Sequence, residues 1–366
     1  MKQKIYIIGS TAHSIINFRY DLINCLRKTF KISALSQDYN KFTYNKLKNI
    51  NVEYHSYGLN KFKFLNEIIS FLNLSKFLLK KKKIKVLSYT LRANFFVGIY
   101  SLFNKNIKHY PMITGLGGIF LSKNENLLRY CVFFLFKILF KISLMRVKAI
   151  IYQNLDDKKY FKKNIINKKY IIVPGSGVNL RRFKQKRFPK KLTFMMISRI
   201  IKNKGIENFF LASKIITKFH RNVEFIFVGK EQKNFSLSKN YVKNNTKLSN
   251  IKFLKWKKNV NDFYRKCSVY ILPSKREGMS RTILEAMSCG RPIITSNVPG
   301  CKQTVKNDYN GYLIKYNNNN NLLLAIKKFI SQPRIVKQFG INSRKRAVKY
   351  FDVKITNRKI LELIKK

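Results

Sequence analysis

The chain has 366 residues, 45% of them hydrophobic, which suffices for two domains of ordinary size, each with its own core. Its 76 lysines and arginines against 16 acids give a formal charge of +60, a field that attracts anionic lipid or nucleic acid. No zinc-ligand spacing, RNP-like aromatic strand or helix-turn-helix pattern accompanies that charge, so no nucleic-acid partner is expected and an anionic membrane surface is favoured.

The start, MKQKIYIIGS, is basic but its apolar run is too short for a secretory segment, so it reads as a first strand ending at Gly9. His13 follows in the loop at that strand's carboxyl end. Next come a helix over about 14–29, strands KISALS and NVEYHSY, a helix near 64–80, strand KVLSY, and a helix near 92–103 that begins at Arg92. Strand HYPMITG leads into Thr114-Gly115-Leu-Gly117-Gly118, a loop whose amides could face an acceptor diphosphate or simply form a tight turn. The stretch LLRYCVFFLFKILFKISLM (127–145) reads as a long helix with Arg129, Lys137 and Lys141 on one face. It could lie on a bilayer with those cations meeting lipid phosphates, or be a half-buried helix whose lysines reach water. The stretch 64–85, ending in a basic run, allows the same two readings. Strands AIIYQN and YIIVPG close the first half. The alternation of strand and helix implies parallel sheets with covering helices. The basic, proline-containing stretch RRFKQKRFPKK (181–191) reads as the domain boundary.

The second half repeats the alternation with TFMMIS, VEFIFVG, IKFLKW, VYILPS and PIITSN. Five cysteines form no CxxC pair and leave an odd count, which favours reduced thiols in the cytoplasm. No stretch of 18 uncharged apolar residues exists, so a spanning helix is not expected. No Asp-x-Asp or histidine cluster has ligand spacing, so neither a catalytic metal nor a bound cofactor is expected.

Two loops carry the chemistry. After strand KLTFMMIS (191–198), Arg199 and Lys204 lie on the way into helix IENFFLASKIITKF, where two cations can clamp a diphosphate and neutralise a leaving group. After strand SVYILPS (268–274), Glu277 lies in the loop and Glu285 in helix RTILEAMSCG, with Ser280 as its N-cap. The amides of Gly278, Met279 and Ser280 would point out of the helix start, where a phosphate is drawn by N–H groups and the helix dipole. The two glutamates then suit hydroxyls on either side of it, as in a nucleotide-sugar.

These residues resemble a known family. Arg199-x4-Lys204-Gly205, Phe227-Val-Gly229, Leu272-Pro-Ser-x-x-Glu277-Gly278, Leu284-Glu285-Ala286, Gly290-Arg-Pro292, Val298-Pro-Gly300-Cys301 and Asn310-Gly311-Tyr-Leu are similar to the C-terminal half of retaining glycosyltransferases of family four. In the first half, MITGLGGIF, YQNLDD and PGSGVNLRRF resemble a bacterial subgroup that extends undecaprenyl-diphosphate-linked sugars, such as the α-1,3-N-acetylgalactosaminyl transferases. The resemblance implies the GT-B fold: two Rossmann-like α/β domains with parallel sheets, facing a cleft. It implies an acceptor-binding domain over 1–183, a donor-binding domain over 184–345, and a final helix over 346–366 returning to the first. It implies that Arg199 and Lys204 bind the donor diphosphate, that Glu277 contacts the sugar and Glu285 the ribose, and that the Met279 and Ser280 amides complete the cradle. Gly229 and Gly278 belong to the same donor site, and Gly9 would approach the diphosphate from the other domain. Many members carry a histidine where this chain has Thr114-Gly-Leu-Gly-Gly118, which directs attention to His13 and Arg92 on the acceptor side, beside Thr114, Gly115 and Gly117.

The expected function is retaining transfer from a nucleotide-sugar, a UDP-sugar by expectation, to a lipid-linked sugar acceptor in cell-surface polysaccharide synthesis. The expected location is the cytoplasmic face of the membrane, held peripherally. The alternatives are a nucleotide-sugar 2-epimerase of the same fold, or a basic membrane- or polysaccharide-binding protein without catalysis.

Overall fold

A computed structural model describes residues 2–58, 65–79, 81, 83–116, 127–230, 239–248, 251–257 and 259–366. The chain divides into two compact units, Met1–Ser176 with Val353–Lys366, and Gly177–Asp352.

The first unit is built on β1 (Lys4–Ile8), β2 (Lys31–Ser36), β3 (Glu53–Ser56), β4 (Ile84–Tyr89), β5 (Ile107–Ile113), β6 (Ile150–Tyr152) and β7 (Tyr170–Ile172). They form one sheet in the order β3-β2-β1-β4-β5-β6-β7, every neighbouring pair parallel. Strands β1, β2, β4, β5 and β6 are short and buried at nearly every position, as a parallel sheet covered by helices requires, while the edge strands β3 and β7 are partly exposed. Because β1 has β2 on one side and β4 on the other, the order reverses there, and the carboxyl ends of β1 and β4 flank a switch point. Ser10 and Thr90 meet across it, Oγ to Oγ1 at 2.5 Å.

The helix expected over 14–29 is broken into Ala12–Ser14, a wide π-type turn Ile15–Arg19, and Tyr20–Leu26. The turn carries Arg19 inward, where its guanidinium lies 4.6 Å from the Tyr89 ring centre and donates to Ser176 Oγ at 2.8 Å. The helix Val353–Lys365 belongs to this unit. Ile360, Leu363 and Ile364 join the core that holds Ile5, Ile23 and Leu26, and Asn357 donates to the Asp21 carbonyl at 3.0 Å.

The second unit holds β8 (Leu192–Arg199), β9 (Val223–Lys230), β10 (Ile251–Lys255), β11 (Val269–Leu272), β12 (Ile293–Ser296) and β13 (Gly311–Ile314). Again every neighbouring pair is parallel, in the order β10-β9-β8-β11-β12-β13, so the switch point lies between β8 and β11. Strand β13 was not among the expected elements; its four residues adjoin an asparagine run and carry no clear period-two signal.

The stretch 181–191 is polar in sequence but tied to the second unit rather than hanging between units. Phe183 is buried in that core, Arg344 donates to the Phe183 carbonyl at 3.0 Å, and Arg291 donates to the carbonyls of Lys186 at 3.1 Å and Arg187 at 2.8 Å. The buried Arg291 and the half-buried Arg344 thus satisfy the backbone of an irregular segment that has no strand or helix to do so.

Candidate active site

Two loops at the switch point of the second unit bring together the charged residues singled out above. Strand β8 ends at Arg199, and a short 3-10 turn, Lys202–Lys204, leads through Gly205 into the helix Ile206–Phe219. Gly205 has φ of +73°, and a side chain there would run into the Pro273 carbonyl, so the two loops can be this close only with glycine. The contact is reinforced where Lys275 N–H and Ser274 Oγ both donate to the Asn203 carbonyl, at 2.9 and 3.0 Å. The result is an ion pair between Lys204 Nζ and Glu277 Oε1, with the side chains only 13% and 14% exposed.

The Glu277 loop is held from its other side by the turn Val298–Cys301. Glu277 N–H donates to the Pro299 carbonyl at 3.1 Å and Ser280 N–H to the Gly300 carbonyl at 3.2 Å. Gly300, with φ of +76°, sits directly on the Glu277 and Gly278 carbonyls, which leaves no room for a side chain. The Ser280 amide is therefore committed to Gly300, a correction to its expected place in a phosphate cradle. Nor does the Ser280 side chain cap the helix Arg281–Ser288; it meets the Thr282 hydroxyl at 3.3 Å. The amides of Thr282 and Ile283, in the first turn proper, have no carbonyl four residues back within that helix.

Glu285 is 3% exposed, and its two oxygens have separate partners. Arg281 Nε donates to Oε1 at 2.8 Å from one turn earlier, and the Tyr264 hydroxyl donates to Oε2 at 3.1 Å. Burial first, then the charge of Glu285, pushes the Tyr264 hydroxyl well above its ordinary pKa, so it remains a donor. The Cys301 thiol lies near the Lys204–Glu277 pair, and burial followed by the Glu277 charge raises it far above the usual thiol range. It is an inert neutral group, not a nucleophile.

Arg199 is exposed at the end of β8, and Gly278 and Met279 are half-buried in the Glu277 loop. Gly229, near the end of β9, packs against the Phe253 and Ile200 side chains, and its carbonyl accepts from Trp256 N–H at 3.1 Å.

In the first unit, Gly9 has both backbone groups engaged, its N–H with the Leu35 carbonyl at 3.0 Å and its carbonyl with the Tyr57 hydroxyl at 2.9 Å. A side chain at Gly9 would collide with the Tyr89 ring, which gives packing as the reason for glycine here. His13 is exposed in the three-residue helix after β1. Arg92 is met by Glu67 at 3.1 Å and by Gln37 at 2.5 Å, and its side chain stays 46% exposed. Thr114 and Gly115 follow β5, with Gly115 at φ of +135°, while Gly117 lies outside the described residues.

Sequence reasoning missed Tyr264 and the Gly300 buttress. The four-residue spacing of Arg281 and Glu285 was a readable signal for that pair. Tyr264, in a 3-10 segment Val260–Lys266 twenty-one residues from Glu285, carried none.

Two parallel α/β units, one with paired cations and carboxylates beside its switch point, have the architecture of the GT-B fold. Residues 178–346 match the family described as glycosyl transferases group 1. It is 24% identical over 271 residues, 69% of each chain, to the N,N'-diacetylbacillosaminyl-diphospho-undecaprenol alpha-1,3-N-acetylgalactosaminyltransferase of Campylobacter jejuni. It is 27% identical over 220 residues to the UDP-Gal:alpha-D-GlcNAc-diphosphoundecaprenol alpha-1,3-galactosyltransferase of Escherichia coli, covering 56% of this chain and 57% of that one. The fold is shared with Anabaena Alr3699/HepE, solved in complex with UDP and glucose, at a TM-score of 0.79 and 16% identity over 99% of both chains.

Proposed function

We propose that the chain moves a sugar, with retention of configuration, from a UDP-sugar to an undecaprenyl-diphosphate-linked sugar during cell-surface polysaccharide synthesis. The observation that carries this reading is the Lys204–Glu277 pair at the β8–β11 switch point, one helical element away from the buried Glu285. A cation and a carboxylate side by side, next to a helix start, match a ligand in which phosphate and hydroxyls are neighbours.

In this reading Arg199 and Lys204 neutralise the departing diphosphate, and the first turn of the helix Arg281–Ser288 faces its oxygens. Glu277 accepts from hydroxyls of the donor sugar. Glu285 accepts from the ribose, its carboxylate aimed by Arg281 and Tyr264. Glu277 is tied to Lys204 and the Cys301 thiol is neutral, which supports departure of the diphosphate from the face that the acceptor attacks, without a covalent intermediate. On the acceptor side we assign His13, Thr114, Gly115 and Arg92, the last oriented by Glu67 and Gln37.

The acceptor class rests on the two relatives above, both named for undecaprenyl-diphosphate-linked sugars. Such an acceptor lies at a membrane, and no helix among the described residues is long and apolar enough to cross one. A peripheral position on the inner membrane face follows from the proposal. The test is to incubate the chain with a panel of nucleotide-sugars and a bacterial lipid extract and identify the extended product by mass. A lipid-linked product one sugar longer supports the reading. Conversion of the nucleotide-sugar without acceptor would replace it with epimerisation.

A further inference from the structure

The long helix Leu127–Ser143 turns the opposite way from a simple basic contact face. Its inner side is fixed to the first unit: Phe136 lies 5.6 Å from Phe95, Phe140 lies 6.1 Å from Phe161, and Leu144 just beyond is fully buried. Gly98, on the neighbouring helix Leu91–Phe103, is so close to Ser143 that a side chain there would strike its carbonyl. The helix therefore cannot roll to hide its other side.

That other side is apolar and faces solvent. At 100° per residue Cys131, Phe134, Leu135 and Ile138 fall on one stripe, with Val132 beside it and Met145 in the turn after the helix. Phe134 is 54% exposed, Leu135 56%, Ile138 41% and Met145 55%, a contiguous run of large apolar side chains in water. Lys137 and Lys141 stand on one flank, and Arg146 and Lys148 follow the helix; the Arg129 side chain lies outside the described residues. Between residues 126 and 155 the sequence contains no acid.

We infer that this stripe inserts into an anionic lipid surface, its apolar residues entering the acyl boundary while Lys137, Lys141 and Arg146 meet the headgroup phosphates. The inference rests on the lipid-linked acceptor proposed above. Charge selects the occupant: a second copy of a chain carrying +60 would bring cations against cations, whereas an anionic bilayer offers both the apolar interior and the countercharge. Two lysines within the helix keep it at the interface rather than across it.

The test uses the full chain and vesicles of phosphatidylethanolamine with phosphatidylglycerol. Cys131 is the one exposed cysteine of the five and accepts an environment-sensitive dye, which should brighten and shift to the blue on binding. The variant Phe134→Gln/Leu135→Gln/Ile138→Gln should keep the wild-type melting curve and UDP affinity but lose about tenfold or more in vesicle partition. Equal partition of variant and wild type, or an unchanged Cys131 dye signal, overturns the insertion. So does a wild-type dimer that the triple variant converts to monomer with vesicle binding intact. The outcome is separable from the function. Transfer to a detergent-dispersed acceptor tests catalysis alone, and stripe-dependent vesicle binding without any transfer leaves the insertion standing.

Discussion

The Lys204–Glu277 pair can be tested without any substrate, by a double-mutant cycle on stability. At an effective dielectric of about 20, two unit charges about 4 Å apart attract by about 4 kcal/mol. The side chains keep 13% and 14% of their exposure, so residual solvation on loss of a partner offsets roughly half of that. Lys204→Met, which strands a carboxylate, and Glu277→Gln, which strands an ammonium, should each cost about 2 kcal/mol. For a unit of this size that lowers the melting temperature by about 4–8 °C. The double variant strands nothing and should lie close to either single one, not at their sum. UDP titration by calorimetry then separates the roles. Lys204→Met should weaken UDP about 10- to 100-fold through loss of a charged contact, whereas Glu277→Gln should change UDP affinity little and lower turnover. Additive melting shifts, or single variants that melt with wild type, would show that the pair does not exist in solution and would sink the argument built on it.

Gly300→Ala should cost about 2 kcal/mol in stability, and activity should fall further, because the new methyl group displaces the Glu277 carbonyl; wild-type turnover in this variant would refute the buttress. Chelation with EDTA should leave transfer intact, because on the proposed function Arg199 and Lys204 supply the charge a metal would; rescue of a chelated enzyme by magnesium or manganese would contradict this. His109 is fully buried, with Nε2 2.7 Å from Ser88 Oγ, and burial holds its pKa down at about 3 against an ordinary 6.5. Its folded pKa is depressed, so its contribution is complete above about pH 6.5 and is lost as pH falls toward 3, at about 1.4 kcal/mol per pH unit. Denaturant melts of wild type and His109→Gln between pH 7 and 4 should therefore converge toward acid, and parallel curves would refute it.

What the sequence discloses about the site is local, and what it hides is the order of strands. Arg199, Lys204, Glu277 and Glu285 could be placed at strand ends and helix starts because short apolar runs, a glycine and an N-cap serine mark those boundaries. That Lys204 touches Glu277 across 73 positions depends on β11 pairing with β8 rather than with β10, and nothing in either strand's own residues announces that choice. The same limit applies to the long helix. Its sequence is apolar on nearly every side, so periodicity establishes a helix but not which side meets the domain; Gly98 and Phe95, which meet Ser143 and Phe136 from an earlier helix, decide it. Gly9 errs in the opposite direction: its position after β1 invites a ligand, and only the Tyr89 ring shows that packing already claims it.

The scarcity of acids sharpens the functional argument. In a chain with 76 cations any phosphate is attracted to many places, so positive charge by itself cannot specify a nucleotide-sugar. Specificity on the proposed function has to come from the groups that a bare phosphate would avoid. Glu277 and Glu285 are such groups. Each is held by a cation, Lys204 or Arg281, so that its charge is balanced while its orientation is fixed. A neutral hydroxyl can still donate to such a carboxylate, whereas an anion placed there meets repulsion that one neighbouring cation only partly offsets. On the proposed function the discriminating power of this site therefore lies in its two acids, with its bases serving the diphosphate between them.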